Sequence, residues 1–284
     1  MQHGRKGTPA AEERTLLSRQ GTAYRVEGDG LETIVLVHGV GSAMGTWWRL
    51  SGYLDHRYRL VSYDLRGHGR SAKKTPPWSI QDFVSDHVQL MEEIGVGRYH
   101  LVGFSLGALI AVGVTIKTPD AVDRLVLLNC AGDRQEEDRA RVAGRVARVR
   151  ASSPASLARE STTRWFTGDF LASHPEEVEK EVAIVSATDG EMYKAAYEVL
   201  ATTDPVDEVS QVTRPVLLVT GEHDTGSTPR MSKSLAARLP GSTVQVVPGL
   251  KHYLHVEVPE TVAGHVESFL SLAEGGQPIS QKTL

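Results

Sequence analysis

The pentapeptide Gly103-Phe104-Ser105-Leu106-Gly107 constrains this chain more than any other stretch. It follows a short apolar run, Tyr99-His100-Leu101-Val102, and opens an apolar segment, Ala108-Leu109-Ile110-Ala111-Val112. The order reads as strand, turn and helix, with a serine at the apex. A glycine two residues to either side is what such a turn requires, because side chains there would collide across it. The turn lifts the hydroxyl clear of the sheet and aims a helix N-terminus, with its partial positive charge, at the same point. A serine so placed is either a nucleophile or a helix cap, and the remaining sequence has to decide between them.

Around it, apolar strand runs alternate with helical patterns. Gly21 to Val26 reads as an antiparallel edge strand, and Thr33-Ile34-Val35-Leu36-Val37 as a central strand buried on both faces. Tyr58 to Tyr63, Val122 to Leu128, Val216 to Thr220 and Thr243 to Val247 extend the series. Between them, residues 79–94 carry Ile80, Phe83, Val84, Val88, Met91 and Ile94 at helical spacing, with Ser79 as cap and Gly95 beyond the end. Helices are also expected after the serine, at about 228–239 and at 259–273. This is the pattern of a mostly parallel sheet covered on both faces. It breaks over residues 133–205, which hold no buried-strand run and read as a helical insertion. The expected layout is a tail at 1–18, a core at 19–132 and 206–274, the insertion at 133–205, and a tail at 275–284.

Composition narrows the function classes. With 284 residues, 40% hydrophobic and 23% charged, the chain can bury one large core plus an insertion. A formal charge of −4 argues against a nucleic-acid partner, and no apolar run approaches the roughly 20 residues that span a bilayer. Cys130 is the single cysteine, so no intramolecular disulfide forms, which suits a reducing compartment. A cytoplasmic protein is expected, with neither membrane nor nucleic-acid contacts and with the choice between monomer and homodimer left open.

A serine hydroxyl becomes a nucleophile when a neutral imidazole takes its proton and a carboxylate fixes the imidazole tautomer. In sheets of this kind the acid and then the histidine follow the serine along the chain. Asp224 ends the strand 216–220 in a glycine-flanked loop, whereas the strand 122–128 ends in Asn129, an amide. Of the eleven histidines, His252, His255 and His265 lie beyond Asp224. His265 falls within a helical pattern and His255 near a helix entry, so His252 is the expected base. The oxyanion would be held by the N–H of Leu106 and by that of Val40, in the loop His38-Gly39-Val40-Gly41. A dinucleotide fingerprint at Gly39-x-Gly41 is disfavoured by the displaced third glycine and by Trp47-Trp48. No His-Glu-x-x-His motif occurs, and neither a metal nor a cofactor is expected.

These marks, with Asp64-Leu65-Arg66-Gly67-His68-Gly69-Arg70-Ser71, Gly221-Glu222-His223-Asp224 and Lys251-His252, resemble the α/β-hydrolase superfamily over about residues 20–273. Arg164-Trp165-Phe166-Thr167 is similar to the 3-oxoadipate enol-lactonase and carboxylesterase-like branch. The resemblance implies an α/β-hydrolase fold with a helical cap. It also implies a serine hydrolase of a small carboxylic ester or lactone. Trp47, Arg164, Trp165 and Phe166 are the expected substrate-binding residues, Arg164 as a carboxylate ligand. Of the crowded arginines 139, 141, 145, 148 and 150, one could face the pocket, but most read instead as a solvated helix face balanced by Glu136, Glu137 and Asp138. Three alternatives stay open: a carbon–carbon bond hydrolase of ring-fission products, a cofactor-free perhydrolase as a side activity of the same site, and a hydrolase-fold ligand receptor. Dehalogenase and epoxide hydrolase chemistry is disfavoured, since it calls for an aspartate where Ser105 stands.

Overall fold

Residues 15–272 are described by a computed structural model. The β-branched run Thr33–Val37 (β3) is buried at every position, as a strand covered on both faces must be. The strands in chain order are β1 Leu16–Leu17, β2 Ala23–Glu27, β3, β4 Arg59–Tyr63, β5 Tyr99–Phe104, β6 Val122–Leu128, β7 Val216–Gly221 and β8 Thr243–Val247. They form one sheet in the order β1-β2-β4-β3-β5-β6-β7-β8. β2 pairs antiparallel with both β1 and β4, and the other five pairings are parallel. The strand expected at the edge therefore has a neighbour, β1, formed by residues of the segment expected to be a tail. Residues 1–14 of that segment, and the tail at 275–284, lie outside the described residues.

Helices follow in the order α1 Trp48–Leu54, α2 Ile80–Glu93, α3 Leu106–Lys117, α4 Glu136–Ala151, α5 Pro154–Trp165, α6 Gly168–Ser173, α7 Pro175–Ser186, α8 Gly190–Thr202, α9 Pro229–Ala236, α10 Leu254–Glu257 and α11 Pro259–Leu270. The period-2 alternation along the strands divides the core in two. Ile34, Leu36, Val102, Phe104, Val126 and Leu128 meet α1, α10 and α11, whereas Val35, Val37, Leu101, Leu125 and Leu127 meet α2, α3 and α9. Helices α4 to α8 are the insertion between β6 and β7, and Val149, Leu157, Phe166 and Val185 join the first of these two layers. Among the described residues no helix is long and apolar enough to cross a membrane.

Two contacts determine where the loops stand. α3 crosses the end of β3 so closely that a Cβ on Gly107 would lie 2.0 Å from the Val37 carbonyl oxygen. The second contact is polar. Glu181 of α7 is fully buried and its Oε2 accepts a 2.8 Å bond from Thr46 Oγ1, which lies 3.0 Å from His255 Nε2. Burial pushes the Glu181 carboxyl up to about 8, outweighing the Thr46 bond, so it carries a proton at neutral pH.

Both contacts are testable in thermal melts. Gly107→Ala should destabilise the fold by at least ~1–3 kcal/mol, because backbone atoms rather than a flexible side chain block the methyl. Gly264→Ala in α11, where the methyl meets open space, should instead stabilise it by about 0.5–1 kcal/mol. Equal melting shifts for the two would refute the crossing. For Glu181, the folded chain holds a proton that the unfolded chain releases above its ordinary value of 4.5. That contribution to stability is fully present below 4.5 and is lost as pH rises through about 8. Glu181→Gln should therefore flatten the fall in melting temperature across this window; an unchanged slope would count against a buried protonated carboxyl.

Candidate active site

The direction in which the sheet grows reverses at β3, whose neighbours are β4 on one side and β5 on the other. Beyond the carboxyl ends of strands at such a switch point the chain leaves a crevice. Ser105 follows β5 there, with φ 54 and ψ −115, a conformation a non-glycine residue rarely adopts. Its N–H donates to Leu128 O at 3.0 Å while the next residue already opens α3. The turn is thus held from both sides. A cavity of about 440 Å³ opens above it, lined by Ser105, Val40, Asp224 and His252 among others.

Asp224 is 4% exposed and its carboxylate accepts four bonds. The Gly226 and Ser227 N–H groups donate to Oδ1 at 2.8 and 3.0 Å. His252 Nδ1 and Asn129 Nδ2 donate to Oδ2 at 2.6 and 2.7 Å. Burial alone would raise this carboxyl, but His252 and the other donors outweigh it and hold it below its ordinary range. The bond at Nδ1 leaves Nε2 as the other ring nitrogen of His252. Gly221 makes the approach possible, since a Cβ there would lie 2.1 Å from Lys251 O, where the histidine loop rides over the end of β7. Among the described residues Ser105 Oγ makes no hydrogen bond, to His252 or to any other group.

The loop after β3 is held by two buried neutral histidines. His38 donates from Nδ1 to Gly39 O at 2.8 Å and accepts the Leu65 N–H at Nε2. His68 Nδ1 lies 2.9 Å from Arg66 O as its donor, and Nε2 accepts the Gly41 N–H at 3.0 Å. Burial lowers their pKa values to about 4 and about 3, which keeps each Nε2 an acceptor. Val40, an expected oxyanion donor, sits between these anchored residues. The other, the Leu106 N–H, belongs to the first residue of α3 and has no acceptor within the helix.

The remaining expectations divide. Arg164 and Trp165 line the cavity. Trp47 and Phe166 do not: Trp47 is buried 4.9 Å from the His255 ring, and Phe166 packs between Phe170 and Tyr253. Both are core residues rather than cavity wall. His255 is buried with its pKa lowered to about 3, and its Nε2 faces Thr46 rather than Asp224. Arg66 is structural, bonding Asp86 and the Asp82 carbonyl.

Three features of the site are not visible in the sequence. Arg145, in the segment expected to be mostly a solvated face, lines the cavity with its side chain only 10% exposed. Asn129 does not replace the acid; it donates to it from a backbone at φ 49, a conformation asparagine tolerates. The Trp165 carbonyl accepts the His252 and Tyr253 N–H groups at 3.1 and 3.0 Å, a backbone contact that no residue type announces.

The chain is 30% identical over 260 residues to (E)-2-((N-methylformamido)methylene)succinate hydrolase of Acinetobacter baylyi, covering 89% of this chain and 96% of that protein. It is 25% identical over 237 residues to 3-oxoadipate enol-lactonase 2 of the same organism, covering 84% and 88%. The crystal structure of the enol-lactonase from Burkholderia xenovorans superposes with a TM-score of 0.82 at 26% identity, covering 88% of this chain and 96% of that one. The profile of the alpha/beta hydrolase family matches residues 34–265, and the chain belongs to that family.

Proposed function

We propose that this hydrolase cleaves a small carboxylic ester or lactone through an acyl-enzyme on Ser105. The observation that carries the reading is the 2.6 Å bond from His252 Nδ1 to a buried, ionised Asp224 in the cavity wall that also holds Ser105. Similarity to proteins named as enol-lactonases supports the same substrate class.

Ser105 Oγ attacks the carbonyl carbon as His252 Nε2 takes its proton, and Asp224 stabilises the resulting imidazolium. The carbonyl π electrons move onto oxygen, which the Val40 and Leu106 N–H groups receive, aided by the N-terminus of α3. The intermediate collapses, the C–O bond to the leaving alkoxide breaks, and the imidazolium returns its proton to that oxygen. Water then repeats the sequence on the acyl-enzyme, releasing the acid and restoring Ser105. That Ser105 Oγ and His252 are not hydrogen-bonded among the described residues fits a site whose catalytic hydrogen bonds tighten around bound substrate.

Ser105→Ala and Asp224→Asn should each lower kcat for 4-nitrophenyl butyrate by about 10⁴-fold or more while leaving the melting temperature within a few degrees. Full turnover by a contaminant-free Ser105→Ala preparation would reject the nucleophile. A fluorophosphonate should label Ser105 and no other serine. Labelling without multiple turnover of any ester would favour a ligand receptor.

A further inference from the structure

Two hydrogen bonds run in series from the insertion to the loop after β3 and leave the Val40 N–H as their open end. Thr188, buried in the turn between α7 and α8, donates from Oγ1 to Gly41 O at 2.9 Å. The N–H of that same peptide unit belongs to Ser42, and it donates to Gly39 O at 3.2 Å. The unit whose oxygen is Gly39 O carries the Val40 N–H, which has no acceptor among the described residues. In a planar trans peptide the C=O and N–H point in opposite directions, so each unit passes the bond on along one line.

Every other group of this loop is tied down. Gly39 O also accepts from His38 Nδ1 at 2.8 Å, so both of its lone pairs are used. The intervening Val40–Gly41 peptide is held by its own N–H on His68 Nε2 at 3.0 Å. Gly41 has φ 74 and stands third in the turn from Gly39 to Ser42, the position where glycine is favoured. The insertion presses on the same residue, since a Cβ on Gly41 would lie 2.2 Å from Cε2 of Tyr193 in α8. Outside, Lys73 pairs with Asp189 at 2.9 Å and pins the turn that carries Thr188. Thr188 itself is not among the residues lining the cavity.

A hydrogen bond accepted at a peptide oxygen polarises the unit and makes its N–H a stronger donor, by about 10–30% per link. Direction counts as well, because an oxyanion donor acts by being aimed before the charge develops. We propose that Thr188 is a positioning residue for the oxyanion: its hydroxyl orients and polarises the Val40 N–H through two peptide units. The insertion then takes part in stabilising the transition state through a residue that does not touch the substrate. This rests on the hydrolase reading above, in which Ser105 attacks and Val40 receives the negative oxygen.

The test sets Thr188→Val, which keeps the shape of the side chain and removes the donor, beside Thr188→Ser, which keeps the donor. With 4-nitrophenyl butyrate, Thr188→Val should lower kcat by about 3- to 30-fold with KM within about twofold, a fraction of the roughly 10²–10³ that a whole donor is worth. Thr188→Ser should recover most of that loss. A tetrahedral adduct isolates the oxyanion. 1,1,1-Trifluorohexan-2-one accepts Ser105 Oγ at its carbonyl carbon, the serine proton passing to His252 and the carbonyl π pair to oxygen, whereas hexan-2-one reports ground-state fit. The ratio of their inhibition constants, methyl ketone over trifluoromethyl ketone, should fall in Thr188→Val by the factor lost from kcat. It should recover in Thr188→Ser, which a loss of stability alone would not reproduce. Lys73→Gln loosens the same turn from outside with the hydroxyl intact and should leave the ratio unchanged. If Thr188→Val folds poorly, Thr188→Ala carries the same comparison. An unchanged ratio in the folded variant, or an equal fall in Lys73→Gln, overturns the role of the hydroxyl alone. Ester turnover that survives Ser105→Ala, or a trifluoromethyl ketone that binds the wild type no better than the methyl ketone, overturns the hydrolase reading and this proposal with it.

Discussion

The distance at which α3 crosses β3 governs everything at the rim of the sheet. Gly107 places its Cα against the Val37 and His38 carbonyls, and the Cβ position of Gly103 lies against Gly107 itself. Only backbone fits on backbone there. The consequence is geometric: the start of a helix, with its unpaired N–H groups, is brought beside the loop after β3. Ser105 cannot relax into an ordinary helix cap, because its N–H is held by Leu128 O in the neighbouring strand. Gly221 repeats the device one strand further out, letting Lys251 pass directly over β7 and deliver His252 to Asp224.

Around those contacts the buried polar groups are wired so that each protonation state is enforced by its neighbours. His38 and His68 each meet a carbonyl at Nδ1 and a backbone N–H at Nε2. A second proton on either ring would face a donor at Nε2, and burial outweighs the carbonyl at Nδ1, which favours the charged ring. Asp224 shows the opposite balance, four donors against desolvation, and stays ionised. Glu181 has a hydroxyl partner but no cation, so desolvation wins and it holds its proton. Three buried carboxyl or imidazole environments therefore give three outcomes, each set by the charge and direction of the partners.

The fold was legible because its signals are local and periodic. Thr33–Val37 and Val216–Gly221 read as strands from β-branched content alone, and Ser79 with Gly95 marked the ends of α2, where Ser79 and Asp82 form a capping box. β1 was not legible, since two leucines carry no period. At the site, the glycine spacing around 105 and the loop positions of 224 and 252 pointed to residues that do converge on one cavity. The wall of that cavity was harder. Trp47 and Phe166 are large and aromatic, which suits a pocket and a core equally, and they went to the core. Arg145 shares a helix with Arg139, Arg141 and Arg148, and a helix wheel cannot say which arginine faces inward when α4 has few apolar positions to orient it. The partners of Arg145 lie on the next helix, where Ser161 Oγ and Glu160 accept its bonds.

The insertion does more than cover the cavity, because the histidine loop hangs from it. The end of α5 supplies the Trp165 carbonyl to the His252 and Tyr253 N–H groups and the Thr163 carbonyl to Lys251 Nζ at 2.6 Å. Thr167, just beyond α5, bonds Glu257 of α10. The same turn of helix also presents Arg164 and the Trp165 ring to the cavity. Substrate contact and the placement of the base are thus carried by one short segment, through its side chains and its carbonyls respectively. Exchange of a side chain on that segment can retune the cavity while the carbonyls keep His252 in place. A change that shifts the helix axis moves the imidazole together with the arginine. Variation in substrate at this site is therefore easiest by side-chain replacement on an unmoved α5, and insertions or deletions between Thr163 and Thr167 would disturb binding and proton transfer at once.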